Sequence, residues 1–239
     1  KNKIIKPEEK KAVAYHEAGH ATVSWLLEYA NPLIKVTIVP RGRSLGAAWY
    51  LPEERQITTT EQLLDEMCAA LGGRAAEFIA FGKISTGALS DLEKVTKQAM
   101  AMVSIYGLNE KIGNVSYYNM DNGFNKPFSD KTAALIDEEI KNLTDQQYQR
   151  AIKILTENKD KLELLANKLL EKEVIFKEDL ELIFGKRPFD EAVVIEEKKS
   201  EPIAVESESV DTEPIESEEV NIIETEDNTV SPAEEDPEE

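Results

Sequence analysis

Two histidines and the glutamate after the first of them are the residues of this sequence whose types and spacing best suit a chemical reaction. His16, Glu17 and His20 form the pattern, and the 239 residues contain no other histidine. On an α-helix, residues four apart share a face, so both imidazoles can reach one metal ion while Glu17 lies at the edge of that face. The alternative is a pair of packed core histidines, but the spacing favours the zinc site of a metallopeptidase.

The spacing suits a metal only if the segment is helical, and the flanking residues favour a helix. Pro7 is typical of a helix start, and Glu8 and Glu9 suit a first turn. Apolar residues continue the histidine face until Asn31-Pro32, which ends the pattern. Gly19 within this helix indicates that another element comes close, since glycine costs about 1 kcal/mol relative to alanine in a helix.

A catalytic zinc site usually has three protein ligands and an open position for water, so a third ligand is needed. Cys68 lies in an apolar helical pattern, which favours a buried structural thiol instead. With no third histidine, we predict a carboxylate. Glu77, Asp91 and Glu93 are the candidates, and their spacing leaves the choice open.

A predicted β-hairpin follows the first helix. Residues 33–39 are β-branched and alternating, and residues 45–51 form a second candidate strand before Pro52. Gly46, Ala47 and Ala48 leave little side chain on that strand, so the backbone of an extended substrate could lie beside Gly46 to Trp49. The alternative is an ordinary hairpin that packs on the helix, and both remain open.

The rest of the folded part is predicted to be helical, which makes the fold mainly α with a small β-hairpin or sheet near the active-site helix. Thr58 and Glu61 suggest a capping box ahead of a helix that ends at Gly82. The further predictions are a helix from Ser90 to Gly107, a loop over 108–128, an antiparallel C-terminal helix pair over 129–155 and 158–170, and a short helix over 177–184.

The acidic charge of the chain is concentrated near its end. The formal net charge is −19, and residues 196–239 contain 18 acidic residues and two lysines. The remaining residues, 26 basic and 29 acidic, have a net charge of only −3. The terminal segment has no aromatic residue and four prolines, which is typical of disorder. We therefore predict a folded domain over residues 1–188 and a disordered acidic tail over 189–239.

Cysteine content and hydropathy indicate what kind of compartment suits this chain and whether it could cross a membrane. A single cysteine excludes an internal disulfide and is compatible with a reducing compartment. No run of 18 apolar residues and no signal-peptide pattern occurs, so we expect this chain to be membrane-associated only through segments it does not contain. The first residue is Lys1 rather than Met, which suggests a fragment.

Four groups of residues follow one another along the chain: 16–20, 36–42 with 45–46, 72–77 and 85–92. In this order they resemble the peptidase domain of FtsH-type, ATP-dependent, membrane-anchored zinc metalloproteases, and the resemblance extends to about residue 188. Ser85, Ser90 and Leu108 differ from the usual family residues, but none of these differences removes a ligand or the base.

The resemblance implies that Asp91 is the third ligand of one Zn²⁺ ion per chain and that Glu77 lies behind a ligand, orienting a histidine or pairing with Arg74. It also implies a larger parent protein, a membrane-anchored homo-hexamer that uses ATP and degrades unfolded or membrane proteins. This domain would then face the cytoplasm or the equivalent organelle compartment. The chain has no GxxxxGK[ST] phosphate-binding loop, so we expect no ATP binding here, and we expect no nucleic-acid partner.

Two other functions are compatible with parts of the pattern. One is a proteolytically silent domain of the same architecture that serves ring assembly or chaperoning. Such a domain would be expected to lose the glutamate or a ligand, and all four residues are present. The other is a stand-alone peptidase with the same zinc motif that acts on small peptides, which the sequence upstream of Lys1 would distinguish.

Overall fold

The structure is a computed structural model that describes residues 6–40, 45–51, 56–118 and 127–189. Residues 41–44, which connect the two predicted strands of the hairpin, lie outside these ranges. So does the predicted acidic tail, apart from Phe189, and its disorder therefore stays a prediction.

The described residues contain six helices and three strands, which confirms the prediction of a mainly α fold. The helices are α1 (Pro7–Leu26), α2 (Thr60–Phe81), α3 (Leu89–Ser104), α4 (Asp130–Glu157), α5 (Lys159–Lys172) and α6 (Lys177–Phe184), with a 3-10 turn at Thr86–Ala88. The strands are β1 (Leu33–Thr37), β2 (Ala47–Tyr50) and β3 (Val174–Phe176).

Helix α1 is the central element, and all its residues from Ala14 to Trp25 are buried. It packs most extensively against α2, and also against α5 and the sheet. At Gly19 the backbones of α1 and α2 nearly touch, because a β-carbon there would lie 2.3 Å from the carbonyl oxygen of Gly72. The helix begins at Pro7 as predicted, but it ends at Leu26 because Leu27 already has an extended backbone.

The strands form one antiparallel sheet in the order β2-β1-β3. Val36 in β1 lies opposite Ala48 in β2 and Ile175 in β3. The hairpin of β1 and β2 was predicted, whereas β3 was not. Its three residues are too few to show an alternating pattern, although Val36 and Ile175 are both fully buried in the core.

Helix α2 has a capping box, but one residue later than predicted. Thr59 accepts a hydrogen bond from the Gln62 backbone, and the Gln62 side chain accepts one from the Thr59 backbone. Three consecutive threonines make the position of such a cap ambiguous in the sequence. The helix ends at Gly82, whose φ of +64° suits glycine.

The two predicted C-terminal helices are confirmed as α4 and α5. Only Asn158 separates α4 from α5, and the two helices have few contacts with each other. Instead, α4 packs on α2 and α3, while α5 packs on α1. The apolar faces of α4 and α5 therefore pack against helices of the N-terminal half of the domain. None of the helices in the described part of the chain is long and apolar enough to cross a membrane.

Candidate metal centre and active site

Three helices bring the candidate site residues to one place. Helix α1 carries His16, Glu17 and His20, α2 carries Glu77 near its end, and Asp91 lies in the first turn of α3. The close crossing of α1 and α2 places the histidine face of α1 directly against α2. The 3-10 turn before α3 then brings Asp91 to the same point.

Three possible ligand atoms face one another at this point. Nε2 of His16 lies 3.0 Å from Nε2 of His20 and 3.2 Å from Oδ2 of Asp91. Nε2 of His20 lies 3.5 Å from the same oxygen. Within the residues that the structure describes, this is the one group of three acidic, histidine or cysteine side chains close enough to hold a metal ion.

The outer nitrogen of each imidazole has its own hydrogen-bond partner. Nδ1 of His16 lies 2.7 Å from Oε1 of Glu77, and Nδ1 of His20 lies 2.9 Å from the carbonyl oxygen of Ala69. A carbonyl oxygen and an ionised carboxylate can only accept, so both Nδ1 atoms carry the hydrogen. In neutral rings, the lone pairs of both Nε2 atoms are thus left for a metal ion.

The electrostatics of the site favour a cation. Burial lowers the pKa of His16, but hydrogen bonds to Asp91 and Glu77 outweigh it and raise that pKa to about 9. Burial would raise the pKa of Asp91, yet its hydrogen bonds with both histidines hold that pKa well below its usual range. Two imidazole nitrogens and a carboxylate oxygen are also a donor set that catalytic zinc uses, so these residues fit the metal that the sequence predicts.

Glu77 is likewise ionised, although it is buried. Burial would raise its pKa, but hydrogen bonds from His16 and Ser85 outweigh that effect and lower it. Its Oε2 accepts the backbone N–H of Ser85 at 2.8 Å. Glu77 thus links the first histidine to the turn that precedes Asp91.

Glu17 lies beside the two histidines without taking part in their hydrogen bonds among the described residues. Its side chain is only 7% exposed, and burial raises the pKa of its carboxyl group. The chain passes close to it at Gly46, where a β-carbon would lie 2.6 Å from Oε1 of Glu17. The residue before β2 is therefore in contact with the side chain of Glu17.

A cleft runs from this cluster along α1 and β2. Its walls include Ser24 of α1, residues 46–48 and Tyr50 of the second strand, and Lys94 of α3. At its far end, the Ser24 hydroxyl donates to the Tyr50 oxygen at 3.2 Å. Trp49 is not among the residues that line this cleft. It is 44% exposed, and its ring centroid lies 4.8 Å from the Lys35 ammonium nitrogen.

The other candidates for a third ligand lie elsewhere. Glu77 contacts the outer nitrogen of His16, on the side away from Asp91. Glu93 is exposed and does not belong to the cluster. Cys68 is fully buried, and burial raises the pKa of its thiol to about 12, in agreement with the interpretation as a structural residue.

Comparison with known proteins identifies the family of this domain. The family model described as Peptidase family M41 matches residues 3–183. The chain belongs to peptidase family M41. The prediction of an FtsH-type zinc metalloprotease domain, made from the sequence motifs, is thereby confirmed.

Relatives of this M41 domain are found in bacteria and mitochondria. It is 63% identical over 190 residues to the ATP-dependent zinc metalloprotease FtsH of Parabacteroides distasonis, a match that covers 78% of this chain and 28% of that relative. It is 50% identical over 200 residues to the mitochondrial inner membrane m-AAA protease component AFG3L2 of Mus musculus, covering 82% of this chain and 25% of that relative. The chain thus spans little more than a quarter of the length of these proteins.

Two contacts in the M41 site were not anticipated from the sequence. The Ala69 carbonyl that orients His20 is a backbone atom, and no side-chain pattern indicates it. The Ser85 N–H that binds Glu77 belongs to the segment 85–92, which stands out in the sequence only through the family resemblance. Both contacts depend on how the helices pack, which a sequence pattern does not specify.

Proposed function

We propose that this M41 domain hydrolyses peptide bonds with one zinc ion held by His16, His20 and Asp91, and with Glu17 as the general base. The observation that carries the proposal is the convergence of two Nε2 atoms and one carboxylate oxygen beside a buried glutamate. Bound zinc would polarise the scissile carbonyl and lower the pKa of its water towards about 7.

Different side chains of the domain are proposed to have different roles in hydrolysis. Glu17 accepts a proton from the attacking water and passes it to the leaving amine. Its raised pKa, caused mainly by burial, suits a group that must both accept and release a proton near neutral pH. Glu77 and the Ala69 carbonyl hold the histidine rings so that their Nε2 atoms stay turned inward.

The second strand is proposed to hold the substrate. β2 pairs with β1 on one side, and it has no partner strand on the other side among the described residues. Gly46, Ala47 and Ala48 line the cleft beside the cluster, so an extended peptide added to this edge would pass over Glu17. Main-chain pairing of this kind tolerates many sequences. Trp49 would contribute only its backbone.

The whole protein is proposed to be an ATP-driven, membrane-anchored homo-hexamer that degrades unfolded or membrane polypeptides. The names of its relatives, an ATP-dependent FtsH protease and a component of an inner-membrane protease, support this proposal. The ATPase and membrane segments would lie in the part of such proteins that this chain does not span. The peptidase domain, residues 1–188, would then face the cytoplasm or the equivalent organelle compartment, with the acidic tail following it.

The proposal is tested by Glu17→Gln in the full-length, ring-forming protein. We expect zinc content equal to that of the wild type, because Glu17 is not a ligand. Cleavage of casein should fall by roughly 100-fold or more, because the base is lost. The exposed Glu93→Gln on α3 is the matched control, and it should retain both properties. Equal cleavage by Glu17→Gln and the wild type would reject the assigned role.

A proteolytically silent assembly domain is not favoured. Such a domain has no need for a buried glutamate beside three inward-facing ligand atoms, yet all four residues lie together in this chain. The Glu17→Gln experiment also separates the two functions, because a silent domain would show no casein cleavage in the wild type.

A further inference from the structure

A glycine of α2 lies directly against both histidines of the metal centre. A β-carbon built at Gly73 would lie 2.6 Å from Nε2 of His16 and 2.6 Å from Nε2 of His20. Carbon atoms do not approach ring nitrogens this closely without displacing them. Any side chain at this position would therefore push away at least one of the two atoms that face Asp91.

The neighbouring glycine of the same helix has different surroundings. A β-carbon at Gly72 would lie 2.7 Å from the carbonyl oxygen of Gly19, which belongs to the backbone of α1. A helix backbone cannot move without disturbing the packing around it, whereas an imidazole can rotate about its side-chain bonds. A side chain at residue 72 therefore meets the backbone of α1 first, and one at residue 73 meets the two histidine rings first.

The hydrogen bonds of the histidines determine what such a displacement costs. His16 is held through Nδ1 by Glu77, and His20 is held through Nδ1 by the Ala69 carbonyl. A ring that turns away from residue 73 must leave this partner, move its Nε2 atom out of the cluster, or both. Such a movement would disrupt the arrangement of the ligand atoms.

We infer that Gly73 is a positioning residue of the zinc site, one whose lack of a side chain lets both Nε2 atoms occupy the metal-binding position. The inference rests on the proposed zinc site. It separates two roles within one Gly-Gly pair: Gly72 allows α1 and α2 to cross closely, and Gly73 leaves room for the ligands.

Gly73→Ala and Gly72→Ala, made in the same chain, test this separation. Zinc affinity is measured by competition with a chromophoric chelator, and the melting temperature is measured in EDTA. For Gly73→Ala we expect zinc affinity to fall by roughly 10- to 100-fold, as for the loss of other groups that orient metal ligands. Its melting temperature in EDTA should fall less than that of Gly72→Ala, because the better helix propensity of alanine offsets part of the cost of moving the histidine rings.

Gly72→Ala should lower the melting temperature in EDTA further than Gly73→Ala does, because its β-carbon meets the backbone of α1 and not a side chain. The absorption spectrum of bound Co²⁺ gives a second readout of the metal site, and Gly73→Ala should alter it. The inference is overturned if Gly73→Ala binds zinc as tightly as the wild type. It is also overturned if Gly73→Ala melts in EDTA as early as Gly72→Ala, since its role would then be structural.

His20→Ala distinguishes failure of this inference from failure of the proposed function. If His20→Ala binds zinc as the wild type does, the metal site is wrongly assigned, and the role of Gly73 falls with it. If His20→Ala loses zinc while Gly73→Ala keeps it, the site stands and only the inference about Gly73 is rejected.

Discussion

At the scale of single residues, each histidine of the cluster makes a different contact with each of its nitrogens. The outer nitrogen donates to Glu77 or to a carbonyl oxygen, and the inner nitrogen faces Asp91. Asp91 faces the proposed metal position, whereas Glu77 contacts the outer nitrogen of His16. The two acids are therefore proposed to have different roles. Their positions relative to His16 predict different consequences when each is removed.

Asp91→Ala and Glu77→Ala should separate these tasks. We expect Asp91→Ala to lose stoichiometric zinc, since it removes a ligand. Glu77→Ala should retain most of its zinc at saturating metal, with an affinity roughly 10- to 100-fold weaker, since it removes only the group that orients His16. Zinc content and affinity of the purified proteins check this prediction, and the reverse ranking would show that the wrong acid was assigned.

The residues of the site could be predicted from the sequence to unequal degrees. His16, Glu17 and His20 were predicted from local spacing, because a helix puts residues four apart on one face whatever surrounds it. The choice of Asp91 over Glu77 and Glu93 came only from the family resemblance. It depends on how three helices pack, and a distance of 71 residues along the chain carries no geometric information. The contacts of Ala69 and Gly73 with the histidines also depend on how α1 and α2 pack, so the sequence did not predict them.

At the scale of elements, the site depends on close packing around α1. The crossing at Gly19 and Gly72 brings α2 against the histidine face, and β2 lies along the same helix. Short strands and helix partners were the elements predicted least well. β3 is too short to show a pattern, and the packing of α4 and α5 on earlier helices depends on contacts between residues far apart in the chain.

The junction of α5, β3 and α6 should show a pH dependence of its own. Asp179 accepts hydrogen bonds from Lys168 at 2.8 Å and Lys172 at 3.0 Å, and these lower its pKa from 3.8 to about 2. A carboxyl group whose pKa is lower in the folded state stabilises the fold above its unfolded pKa. That contribution is lost as the pH falls towards 2.

Asp179→Asn should therefore lower the melting temperature at pH 6, by roughly 2–4 °C for each kcal/mol lost. The difference from the wild type should shrink between pH 4 and pH 2. Thermal melting across this range checks the prediction. The exposed neighbour Glu178→Gln is the control, and it should follow the wild type at every pH. A difference that stays constant down to pH 2 would contradict the ion-pair explanation.

At the scale of the whole molecule, the chain matches about a quarter of the length of its FtsH and m-AAA relatives. Its candidate metal cluster is built around the central buried helix α1, and the edge of a strand lies beside that cluster. This arrangement suits a domain to which polypeptides are delivered in extended form, because an edge strand recognises the main chain and not a particular sequence. Delivery, selection of substrates and membrane attachment are then proposed to belong to the rest of the protein.

The proposed site holds one zinc ion between His16, His20 and Asp91. Anomalous X-ray scattering from crystals of the zinc-loaded chain locates the metal directly. We expect one peak about 2.0–2.2 Å from Nε2 of both histidines and from a carboxylate oxygen of Asp91. A zinc peak bound to Glu77, or zinc-loaded crystals with no peak at the two histidines, would contradict it.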